Sequence, residues 1–156
     1  MERTRENTIK ELKKYFDIRE LVSKAVWLKF GESAWRLFDT RLLAVLLALR
    51  ADILKVPLVC NNWQSGGTLQ QRGFRENTAQ IVADKTKENK MYLSAHTIGQ
   101  AVDLSSPKMN ADVMRNLIVQ MKNKLPYKVR MEKSENAPTW VHIDVMSCGS
   151  SKIEWF

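Results

Sequence analysis

The chain contains two histidines, and each has an aspartate nearby: His96 with Asp103 in S-A-H-T-I-G-Q-A-V-D-L, and His142 with Asp144 in T-W-V-H-I-D-V. Neutral imidazole and carboxylate are the groups zinc takes in catalytic sites, where three protein ligands leave a fourth position open. A helix would carry two such ligands at i and i+4. The gap from His96 to Asp103 is longer, so a bend must intervene, and Gly99 supplies one. This puts His96 on a loop entering a strand and Asp103 on that strand. Spacing alone leaves two readings open: His96, Asp103 and His142 share one ion, or the histidines are ordinary surface or hydrogen-bonded residues.

A hairpin sharpens the choice. Tyr127–Lys133 and Thr139–Met146 read as strands joined by the five-residue loop S-E-N-A-P. Along the second strand Val141, Ile143 and Val145 point one way and Trp140, His142 and Asp144 the other; along the first, Val129 and Met131 oppose Arg130 and Glu132. Matching the apolar faces pairs Met131 with Ile143 and Val129 with Val145, which sets Glu132 opposite His142 and Arg130 opposite Asp144. Glu132 then stands where a general base acting on water is needed. Glu135, in the loop, is the reserve candidate. Arg130–Asp144 reads as a cross-strand ion pair, with support of the His142 ring by Asp144 as the functional alternative.

The elements that must position these residues follow from periodicity and caps. Two amphipathic helices are expected over Thr8–Phe16 and Arg19–Phe30, interrupted at Gly31. Asp39 caps a third that ends near Leu54 and is apolar almost all round, so it must be buried. Val56–Cys60 reads as a strand, and Asn61–Gly73 as loop. Asn77 is expected to cap a helix to about Lys87, Gln100–Leu104 to form a strand, and Asn110 to cap a helix closed by Pro126. The S-S-K-I-E-W-F tail reads as either an edge strand or a docked terminus. The order gives an α+β fold, an antiparallel sheet covered by helices, in one domain: a helical part over 1–54, a metal-site sheet region over 55–146 and a tail over 147–156.

Three segments carry a family resemblance. S-A-H-T-I-G-Q-A-V-D matches the SxHxxGxAxD signature of the zinc D-alanyl-D-alanine carboxypeptidase and peptidoglycan-peptidase family, whose scaffold the hedgehog fold shares. W-V-H-I-D resembles its distal histidine strand. R-G-F-R-E-N is similar to its SGYR segment, with Arg75 at the arginine position and Arg72 replacing the usual serine. The N-N-W…G-G…R-G-F-R run and the N-terminal helices resemble small phage- or prophage-encoded members. The resemblance implies a Zn2+ hydrolase cutting peptide bonds in peptidoglycan stem peptides or cross-links, with His96, Asp103 and His142 as metal ligands. It implies that Arg75 binds a substrate carboxylate or a developing oxyanion, and that Ser94 hydrogen-bonds near the site, unless Ser94 serves loop structure alone. Several branches of the family carry the acid three residues before the distal histidine. Here that position is Thr139, which leaves Glu132 for the task. A zinc-binding module without catalysis is the alternative on the same scaffold.

Composition sets outer bounds. Of 156 residues, 25 are Lys or Arg and 17 Asp or Glu, a net charge of +8 that favours anionic surroundings such as wall polymers. Val113–Lys133, with six cations and one acid, is the candidate basic face, or else an ordinary solvated helix face. No RNA-stacking motif or zinc-finger spacing supports a nucleic-acid partner. Cys60 and Cys148 are too few for a disulfide framework and read as free thiols. The start M-E-R-T-R-E-N-T-I-K has no apolar core of an export signal, and Leu42–Leu49 is far short of the ~20 residues of a membrane span. The expectation is therefore a cytoplasmic protein as synthesised, without membrane insertion, that reaches the wall only after release, as a lysin does.

Overall fold

The computed structural model describes residues 4–156; the expectation drawn from the start M-E-R-T-R-E-N-T-I-K falls in part on Met1–Arg3, which lie outside the described residues. α1 (Arg5–Leu12) begins on Thr4, whose hydroxyl accepts the Asn7 amide, so the helix starts and ends earlier than the expected Thr8–Phe16. The expected Arg19–Phe30 helix is divided. Asp17 and Glu20 form a capping box around the single turn Ile18–Glu20, and the Ser23 hydroxyl then caps α2 (Lys24–Phe30) through the Val26 amide. Asp39 caps α3 (Thr40–Ala48) as expected, and the helix widens into a π-turn through Ile53. Leu42, Leu43, Leu46 and Leu49 are fully buried there.

Beyond α3 the segment Val56–Cys60 and the start of the next helix depart from expectation. Val56–Cys60 makes one isolated bridge, Val59 with Ser105, in place of a strand; Pro57 has no amide to give a ladder. α4 (Gln80–Lys87) starts after Ala79 with no side-chain cap, so Asn77 does not open it. Asn110 does cap α5 (Ala111–Gln120), accepting the Val113 amide.

The sheet holds β1 (Ala101–Leu104), β2 (Val129–Met131), β3 (Val141–Asp144) and β4 (Ile153–Trp155) in the order β1-β3-β2-β4. β3 runs antiparallel to both neighbours, with Arg130 opposite Asp144 and Met131 opposite Ile143 as the apolar faces require. The tail is an edge strand, and it corrects the expectation of a purely antiparallel sheet: β4 lies parallel to β2. The chain leaves β3, turns back through 145–152 and passes to the free side of β2, so it returns in the direction of β2. The sheet is therefore mixed, and the fold is α+β.

Alternation divides the sheet into two faces. Val102, Leu104, Val129, Met131, Val141 and Ile143 join the core beneath the helical half. Asp103, Arg130, His142 and Asp144 occupy the opposite face. No helix of the described residues is long and apolar enough to cross a membrane.

Candidate metal centre

Pairing of β1 with β3 sets Asp103 directly across from His142. On the other side of β3 the Glu132 amide donates to the His142 carbonyl, continuing the β2 register by one residue. Asp103, His142 and Glu132 thus form one row across three strands. The adjacent row is Ala101, Asp144, Arg130 and Glu154, which reaches β4.

His96 comes from outside the sheet, on the single turn Ala95–Ile98. The Ser94 hydroxyl caps that turn by accepting the His96 amide, and Gly99 ends it at φ +70°, where an added Cβ would meet the Leu37 carbonyl at 1.9 Å. Ser94 therefore has the loop-building role, although it also borders the cleft. The R-G-F-R segment clamps the same turn from behind. Arg75 N donates to His96 O, Asp103 N donates to Arg72 O at 2.7 Å, and the Gly73 carbonyl accepts from His96 Nδ1 at 2.8 Å. Gly73 lies so close to Leu21 that a Cβ would meet its carbonyl oxygen at 1.9 Å.

These contacts bring His96, Asp103 and His142 together as a buried group whose ligand atoms lie within 4.8 Å of one another, so the group could hold a metal ion. The ring nitrogens test the fit. His96 Nδ1, bonded to a carbonyl, must carry hydrogen, which leaves a lone pair on Nε2. That nitrogen is buried without a hydrogen-bond partner, 3.3 Å from Asp103 Oδ1. His142 Nε2 lies 3.0 Å from Asp144 Oδ2 and Nδ1 lies 2.8 Å from Asp103 Oδ1. A neutral ring has one N–H for these two carboxylates, so a lone pair faces an anion unless a cation stands between them. A metal ion meets the need, and so does a proton. Without the ion, burial alone would lower the His142 pKa, but Asp103 and Asp144 outweigh it and push the value up to about 9. Burial raises the Asp103 carboxyl, and the His142 and His96 rings outweigh that and hold it well below the usual range.

The surrounding groups are partnered. Arg130 grips Asp144 through two bonds of 2.9 Å, so Asp144 serves both roles considered for it: ion-pair partner and support of His142. Arg75 donates from Nε to Gln71 O at 2.7 Å and from Nη1 to Tyr92 Oη at 2.6 Å, and its Nη2 lies 3.5 Å from Asp103 Oδ2. The trio opens into a cleft of about 440 Å3 bordered by Arg75, Ser94, Arg130, Glu132, Trp140 and Phe156, among others. Glu132 lines this cleft outside the ligand group, whereas Glu135 and Thr139 are exposed and do not line it.

Two contributors escaped sequence reasoning. Arg115, counted there among the cations of a basic face, is buried and donates to the carbonyls of Glu132, Ala137 and Trp140, fixing the hairpin that carries Glu132. The Phe156 ring packs edge-on to His142 at 5.5 Å and lies under the Arg130 guanidinium at 4.5 Å. With Arg115 and Arg130 both committed, the basic face between Val113 and Lys133 is thinner than its composition implies. No family model, curated protein or solved structure matches the chain.

Proposed function

We propose that the chain is a zinc-dependent peptidase acting on the stem peptides or cross-links of peptidoglycan. The observation that carries this reading is the pair of ring nitrogens, His96 Nε2 and His142 Nδ1, both turned toward Asp103 Oδ1 at the base of a cleft. Two imidazoles and one carboxylate make a zinc donor set with room for a further ligand. The choice of substrate is supported by the resemblance of the R-G-F-R, S-A-H-T-I-G-Q-A-V-D and W-V-H-I-D segments to the peptidoglycan-peptidase family.

A bound zinc ion supplies Lewis acidity, which polarises a carbonyl and makes water easier to deprotonate. Glu132, on the row beside His142, accepts the proton from the attacking water and delivers it to the leaving amine. Arg75 orients Asp103, and its remaining N–H bonds hold the substrate carbonyl oxygen as charge develops there. Asp144 fixes the His142 tautomer so that Nδ1 faces the metal position. The net positive charge favours residence on anionic wall polymers once the protein is released from the cell that makes it.

The test has two parts. Elemental analysis of protein never exposed to chelator is expected to give stoichiometric zinc, lost in His96→Ala. Mass spectrometry of digested peptidoglycan is expected to give new peptide termini, lost in Glu132→Gln while zinc is retained. Normal turnover by Glu132→Gln removes Glu132 as the base. Stoichiometric zinc without any cleavage leaves the non-catalytic metal-binding module.

A further inference from the structure

A second recess adjoins the metal cleft and is not used by the chemistry above. It is a groove of about 700 Å3 between α2, α4 and the R-G-F-R segment, and it shares Arg75 and Leu93 with the cleft. Val26, Phe74 and Val82 make its walls apolar. Leu93, at the junction, is 74% exposed, an aliphatic side chain left facing water where the two recesses meet.

One acidic residue lines this apolar surface. The Glu76 carboxylate accepts a hydrogen bond from Ser23 Oγ at 2.8 Å through Oε1, while Oε2 is buried with no partner. A carboxylate oxygen without a donor is costly in such surroundings, and the donor that satisfies it best is a cation. The groove's own cations do not supply it. Arg75 is turned to Asp103, Tyr92 and Gln71, and exposed Lys29 stands over the Phe30 ring. Lys29 is screened by solvent and repels a ligand ammonium weakly, whereas the sheltered Glu76 acts with little screening.

We propose that this groove is a substrate subsite for an aliphatic side chain ending in an ammonium group, carried by a residue near the scissile bond. The inference rests on the peptidase reading, and it adds the substrate class. The stem of the side chain lies along Val26, Phe74 and Val82 from the Leu93 junction. Its ammonium pairs with the Glu76 carboxylate, whose Oε1 is held by Ser23 and whose Oε2 has no partner. The chemistry selects an amino-terminated side chain over an isosteric hydrocarbon and, more strongly, over an acidic one.

Synthetic peptides that are identical except for lysine, norleucine or glutamate, placed in turn at each position flanking the cleaved bond, test this with the zinc-loaded protein. At one position lysine is expected to exceed norleucine by about tenfold in kcat/KM, the scale of one charge-assisted hydrogen bond. Glutamate should fall below both. Glu76→Gln, which keeps the Ser23 contact, should bring the lysine-to-norleucine ratio close to one. Equal use of lysine and norleucine at every position overturns the subsite, as does a ratio that survives Glu76→Gln. Binding of the same peptides to chelated protein, followed by titration, must show the same order. That readout separates the two claims: absence of all cleavage removes the peptidase reading, while the lysine preference in binding still stands or falls by itself.

Discussion

The two faces of the sheet are built from opposite materials, one packed beneath the helices and the other bordering the cleft. On one, Val102, Leu104, Val129, Met131, Val141 and Ile143 pack beneath the helices, where removal from water is itself the stabilising force. On the other, Asp103, His142 and Asp144 are also buried, although burial of each charge costs free energy. That face persists because nearly every polar atom has a partner: Arg130 on Asp144, Arg75 on Asp103, and the Gly73 carbonyl on His96. The apolar face makes the strands rigid, and rigid strands hold the ligand atoms where solvent would otherwise separate them. His96 Nε2 is the exception to complete pairing, and it belongs to the group that could hold a metal ion.

The apolar face can be damaged one residue away from the site. Ile143→Ala removes a fully buried side chain from β3 between His142 and Asp144. It is expected to cost about 2–5 kcal/mol in chemical denaturation while the folded fraction still binds metal with unchanged stoichiometry. Loss of stoichiometry would mean that the two faces are not separable. Asp144→Asn acts on the polar face. It leaves His142 Nε2 with a weaker acceptor and should lower metal affinity about 10–100-fold in competition with a chelator. Arg130, whose side chain is 27% exposed, keeps water as a partner, so the stability loss should stay below that of Ile143→Ala.

Acidity separates the faces in another way, because only one of them titrates. In metal-free protein the folded-state pKa of His142 is raised from 6.5 to about 9, so its protonated form stabilises the fold. That contribution is complete below pH 6.5 and is lost as pH rises through 9. Asp103 and Asp144 are shifted down, and their contributions are present above the ordinary carboxylate range and lost in acid. Tm of chelated protein should therefore fall from pH 6.5 to 9. A metal ion held at Nδ1 would take the place of the proton there, so saturating zinc should abolish or reverse that slope. A chelated protein with flat Tm over this window contradicts the His142 environment described above.

The legible parts of the molecule are those set by local pattern. Alternation in V-R-M-E and V-H-I-D determined the hairpin register, because a slip of one residue would bury Arg130 and expose Ile143. Residue type and spacing left the His–Asp–His grouping open, and it became readable only through the resemblance of S-A-H-T-I-G-Q-A-V-D and W-V-H-I-D to a known family. Pairing of β1 with β3 was not legible, since nothing local to Asp103 specifies a partner 39 residues away. The parallel return of β4 depends on how 145–152 passes the edge of β2, again a property of the assembled sheet. Gly73 contributes a carbonyl and a close approach to Leu21, neither of which is side-chain chemistry. Arg115 looked like one more surface cation until the hairpin carbonyls turned toward it.

The smallest effects test how far local capping reaches into the polar face. Asn110 accepts the Val113 amide at the start of α5, the helix that carries Arg115. Asn77 caps nothing, because α4 begins beyond it without a side-chain bond. Asn110→Ala should cost about 1 kcal/mol in denaturant midpoint analysis, whereas Asn77→Ala should remain within about 0.5 kcal/mol. The more informative readout is hydrogen exchange at the Glu132 amide, which donates to His142. If α5 holds the hairpin through Arg115, weakening its first turn should speed that exchange, and Asn77→Ala should leave it alone. Equal exchange in both variants would mean that the hairpin is fixed by strand pairing alone, with Arg115 adding only satisfied carbonyls. The position of Glu132 would then depend on β3 and not on the helix behind it.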